Sequence, residues 1–85
     1  MNFLGLPKEV ISKTPKLTIT GFEELFIENF KGIIEYEDFF ARIKTTIGII
    51  NINGFNLKLN QMTEDDILVT GKIESIDFEK ERDED

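Results

Sequence analysis

Apolar and polar side chains alternate along most of this chain, and a period of two is the mark of a β-strand with one buried face. KLTIT (16–20) sets Leu17 and Ile19 on one side and Thr18 and Thr20 on the other. ELFIE (24–28) and IIEYE (33–37) flank NFKG (29–32), whose Asn at the first position and Gly at the fourth predict a type I turn and hence a hairpin. A tighter reversal at Glu37 and Asp38 leads into FFARIK (39–44), with Phe40, Arg42 and Lys44 opposite Phe39, Ala41 and Ile43. In GIININGFNLKLN (48–60) the Asn53 and Gly54 pair predicts a two-residue hairpin loop, because both central residues of such a loop need positive φ. That loop would oppose Ile52 to Phe55, Ile50 to Leu57 and Gly48 to Leu59 on a core face. The other face would be polar near the turn, with Ile47 and Ile49 at its base.

QMTEDD (61–66) is a connection in which Thr63 and Asp66 resemble a capping box, predicting one helical turn. In ILVTGKIESIDF (67–78) the pair Ile67 and Val69 falls in opposite phase to Ile76 and Phe78. Gly71 lies between them, which predicts a bulge or a bend into a second sheet. Ahead of the strands, LPKEVISKT (6–14) predicts a short helix with Leu6, Val10 and Ile11 on one face, ended by Pro15. It would serve as a lid on the core or as a docking helix for a partner. Together these elements predict an all-β fold: a small antiparallel meander of six or seven short strands, barrel-like or a two-layer sandwich. Residues 1–78 form one domain, and 79–85 are expected to be an acidic, disordered tail.

Composition narrows the chemistry more than it suggests any. At 85 residues with 40% hydrophobic residues and 8 Phe, the chain can build a thin core, and association is a natural way to add stability. The absence of Cys and His removes disulfides, thiolate catalysis, Cys- and His-based metal sites and the commonest general base. A net charge of −7 argues against binding a phosphate backbone, so the aromatics Phe22, Phe26, Tyr36, Phe39 and Phe40 are expected in the core rather than under nucleic-acid bases, with Phe30 as the exception. Glu64, Asp65 and Asp66 lack the spacing of a Ca²⁺ loop, and Glu35 and Glu37 share one strand face instead of facing across a cleft. No glycine-rich phosphate loop occurs. The longest apolar run, IGII, falls far short of the roughly 20 residues of a membrane span, and MNFLGLPKEV has no signal-peptide pattern. A cytoplasmic protein without catalytic residues, cofactor or metal is therefore expected.

The residues alone favour a module that docks on a partner or on itself, because small open sheets leave strand edges unpaired. The expected contact surface is Phe30, Ile47 and Ile49. Phe30 sits inside the predicted NFKG turn, where it would be exposed unless it folds back onto the sheet. The alternative is a small ligand-binding or enzymatic β-barrel using the carboxylates of Glu35, Glu37 and residues 64–66.

The order and spacing of LPKEV, PKLTITG, ENFKG, RIKTTIG with INGFNLKL, and the closing VTGKIESI strand resemble the YabP/YqfC family of bacterial sporulation proteins, the YqfC branch in particular. The resemblance covers about residues 6–78. It implies a small non-enzymatic protein made in the mother cell during endospore formation. It further implies association with a membrane protein of the same programme at the forespore surface. It implies no catalytic or ligand residues, and the acidic tail lies outside it.

Overall fold

The computed structural model describes residues 13–80, which form six antiparallel strands and no helix. They are β1 (Lys16–Thr20), β2 (Glu24–Glu28), β3 (Phe30–Glu37), β4 (Phe40–Thr45), β5 (Gly48–Gln61) and β6 (Asp66–Lys80). The spatial order is β1-β2-β6-β5-β4-β3, a single open sheet with β1 and β3 at its edges. The all-β antiparallel prediction holds, and β3 to β6 follow one another as a meander. Residues 6–12 of the predicted helix lie outside the described part.

Two predicted hairpins are replaced by longer-range pairings, and in each case the side chains say why. Closing NFKG as a hairpin would set Glu24 against Glu37 and Phe26 against Glu35. Pairing β2 with β6 instead opposes Leu25 to Val69, Phe26 to Leu68 and Ile27 to Ile67, although it too sets two carboxylates opposite each other, Glu28 and Asp66. Apolar cross-strand pairs stabilise a sheet, and the longer-range pairing supplies three in a row. The chain leaves β2 through Asn29 in the left-handed region (φ 66), held by its amide donating to the Thr14 carbonyl at 3.0 Å. Phe30 then donates its backbone N–H to Asp65 at 3.0 Å as β3 begins.

Asn53 and Gly54 make no hairpin loop either: β5 runs straight through them. Its inner residues find apolar partners on both flanks, Ile52 between Ala41 and Ile76, and Ile50 between Ile43 and Phe78. The β4–β5 reversal falls instead at Thr46 and Ile47. There the Thr45 hydroxyl donates to the Gly48 carbonyl at 2.8 Å and accepts the Ile47 N–H at 3.2 Å. At the β5–β6 turn no helical turn forms, but the expected cap does: the Thr63 hydroxyl accepts the N–H groups of Asp65 and Asp66 at 3.1 Å.

The long β5–β6 pair carries two offsetting bulges. Asn53 opposes Ser75 while Gly54 opposes Ile73, which leaves Glu74 as an extra residue in β6. Phe55 opposes Lys72 while Lys58 opposes Thr70, an extra residue in β5 beside Asn56, whose φ is 55°. Each bulge shifts the pleat by one. Buried positions therefore pass from Ile50, Ile52 and Gly54 to Leu57 in β5, which leaves Phe55 on the outside at 54% exposure rather than in the predicted core. The phase change expected in β6 is present, with its extra residue at Glu74 and with Gly71 opposite the second bulge.

Bulges also bend strands, and here they curl the sheet. In a flat sheet three strand spacings, about 14 Å, would separate β2 from β4. Leu25 and Ile27 of β2 nevertheless share one buried cluster with Ala41 and Ile43 of β4, together with Phe30, Ile50, Ile52, Leu57, Ile67 and Val69. The curl gives a one-layer sheet residues that are entirely covered.

Gly71 sits where the two strands approach closely, at φ 128, and a Cβ there would lie 2.5 Å from the Asn56 carbonyl oxygen. Gly54 is buried for the same kind of reason, since a Cβ would meet the Lys72 carbonyl. Substituting Gly71→Ala is expected to cost about 2 kcal/mol or more in urea unfolding, from strained backbone plus the clash. Gly32→Ala, where nothing lies within 4 Å, should change stability by less than about 1 kcal/mol. Equal effects of the two would contradict the close approach at Gly71.

Candidate functional site

An apolar groove of about 300 Å³ lies at the end of the sheet where β1, the β4–β5 turn and the end of β6 meet. Leu17, Ile47, Ile49, Ile50 and Phe78 line it. Ile47 is 54% and Phe78 61% exposed, high values for side chains of this size gathered in one place. The sheet dictates the arrangement. Antiparallel pairing brings Phe78 opposite Ile50, and the short β4–β5 turn projects Ile47 over the end of the ladder. Thr45 is the one polar side chain deep in the wall, and both of its hydrogen bonds stay within the turn. Glu79 and Lys80 also contribute to the lining, and the largely apolar remainder of the wall suits burial of apolar surface.

Of the predicted contact residues, Ile47 and Ile49 border this groove and Phe30 does not. Phe30 is 7% exposed, packed in the core with Ile43 and Thr45 on the neighbouring stretch of sheet. The expectation of an exposed tip failed because the NFKG turn it depended on does not form. Phe78 was not among the predicted contact residues; it borders the groove near the end of β6.

On the outer face a polar ladder crosses four strands. Arg42 of β4 donates from Nε to Asn51 Oδ1 at 3.1 Å, from Nη1 to Glu35 at 3.4 Å and from Nη2 to Glu79 at 2.9 Å. The Asn51 amide donates to the same Glu79 oxygen at 2.9 Å. Glu79 therefore belongs to β6 and to this ladder, and the predicted tail begins two residues too early; residues 81–85 lie outside the described part. Hydrogen bonds from Asn51 and then Arg42 hold the Glu79 carboxyl below its ordinary range, while its bonds to Glu79 and Glu35 raise the Arg42 guanidinium further. Such a solvent-facing ladder fixes register more than it adds stability.

Two of the carboxylates singled out in the sequence are held in local contacts. Glu35 is taken up by Arg42 on the edge strand. Asp66 accepts a hydrogen bond from the Thr63 hydroxyl at 3.0 Å within the β5–β6 turn. Among the described residues no three acidic side chains come together to hold a metal ion. Nor is any helix there long and apolar enough to cross a membrane.

The ladder has a pH signature. With a folded pKa below the unfolded value, Glu79 contributes fully above the unfolded carboxyl range, and the contribution fades as pH falls through the folded value. Glu79→Gln is expected to lower the melting temperature slightly at neutral pH, and the gap from wild type should shrink as pH falls through the carboxyl range. A gap that widens on acidification would contradict the ladder.

The chain matches the YabP family over residues 12–85. It is also 25% identical over 75 residues to "Uncharacterized protein YqfC" of Bacillus subtilis (strain 168), a match covering 88% of this chain and 81% of that protein. No solved structure matches. With the family spanning the whole described sheet, the chain belongs to the YabP family.

Proposed function

We propose that this chain is a non-enzymatic interaction module of endospore formation. It works in the mother-cell cytoplasm and is held at the forespore membrane by a membrane-protein partner. The observation that carries the reading is the groove at Ile47, Ile49 and Phe78, an exposed and largely apolar surface. Membership of the YabP family supports the sporulation context, through the resemblance drawn from the order of the strand segments. The carboxylates that an enzymatic barrel would use are instead engaged in the outer ladder and the β5–β6 turn, or dispersed on the surface.

The test separates docking from chemistry. In the spore-forming host, the double substitution of Ile47 and Ile49 to Lys is expected to leave a folded protein and reduce heat-resistant spores to the level of a deletion strain. Ile47 is half exposed, so its change should cost less than about 1 kcal/mol. Replacing Glu35, Glu37, Glu64, Asp65 and Asp66 by Gln or Asn should leave spore counts intact. The reverse pattern, or a deletion without effect on spores, would overturn the proposal.

A further inference from the structure

The two edges of the sheet are built differently. β3 is interrupted twice against β4, with register shifts between Phe30 and Gly32 and between Ile33 and Glu35. Bulges of this kind twist an edge away from further pairing. β1 has none. All five of its residues pair one to one with β2, from Lys16 with Glu28 to Thr20 with Glu24. It contains no Pro, only one charge, and the half-exposed Ile19. An unbroken edge of this kind is a template for another strand.

The geometry points to β1 as the seam of a symmetric dimer, in which it pairs antiparallel with β1 of a second copy about Thr18. This register alone engages all five residues. Centring on Leu17 would draw Pro15 into the ladder, and centring on Ile19 would draw in the turn residue Gly21. A shift by one residue would turn the second copy's apolar face to the wrong side.

Both faces of the joined sheet then match. On the core side, Leu25 and Ile19 of one copy continue into Leu17 and Ile27 of the partner subunit, an unbroken apolar row that covers Ile19. On the outer side, Lys16 lies between Glu28 of its own copy and Thr20 of the partner subunit, with Glu24 of the partner subunit one strand further. The single charge at the seam is thus flanked by carboxylates in a chain of net charge −7. A seam of five residues is shorter than a standard interface of roughly 1,600 Å² requires, so the dimer forms with rising concentration.

This inference rests on the reading of the chain as an interaction module. It is tested apart from that reading, because Thr18 projects to the face opposite Leu17 and the groove, and the assay is the mass of the pure protein. Sedimentation of the full chain over a concentration series is expected to show monomer passing to dimer. Thr18→Glu and Thr18→Lys each set like charges directly opposite at the two-fold centre and should lose the dimer while retaining the β-sheet spectrum. An equimolar mixture of the two should regain it. A wild-type chain that stays monomeric, a Thr18→Glu variant that still dimerises, or a mixture that stays monomeric would overturn the seam. Hydrogen exchange on the wild-type chain tests it without substitution: protection of the β1 amides should rise with concentration, and unchanged protection there would also overturn it.

Discussion

The constraint on which the structure depends is that β5 runs unbroken through Asn53 and Gly54 and pairs with β6 on both sides of that point. Because β5 continues, β6 can be as long as it is, and its first half is free to receive β2. Two bulges, one in each strand, then bend the pair and carry the buried face across the bend. Without the curl, Leu25 and Ile27 would stand too far from Ala41 and Ile43 to share a core, and a one-layer sheet of this size would have little buried surface.

How much of this was legible in the sequence divides along the range of the interaction. The strands themselves were readable, because alternation is a local property: Leu17, Ala41, Ile43, Ile50, Ile52, Ile67 and Val69 all face as their spacing indicates. Strand partners were not. Asn53 with Gly54 carries a strong local preference for a hairpin, yet apolar neighbours on β4 and β6 outweigh it. Gly54 is required by the approach of the Lys72 carbonyl rather than by a turn. The phase reversal between Val69 and Ile76 was a true long-range signal, since it announced the bulge that bends the sheet. The true β4–β5 reversal, by contrast, was marked only by Thr45, whose hydroxyl closes the turn.

The same division holds for the candidate site. Ile47 and Ile49 stood out because apolar residues interrupted an otherwise polar face, and both border the groove. Phe30 is buried and Phe78 exposed, each according to strand neighbours the sequence does not display. Exposure is thus a consequence of which strands end together, and at this end of the sheet β1, the β4–β5 turn and β6 do so over an apolar floor.

The continuity of β5 is tested most directly by nuclear Overhauser contacts between backbone protons. The curled sheet predicts cross-strand contacts of Ile52 with Ala41 and with Ile76, and of Gly54 with Ile73. Contacts of Ile52 with Phe55 and of Ile50 with Leu57, the signature of a tight hairpin at Asn53 and Gly54, would contradict it.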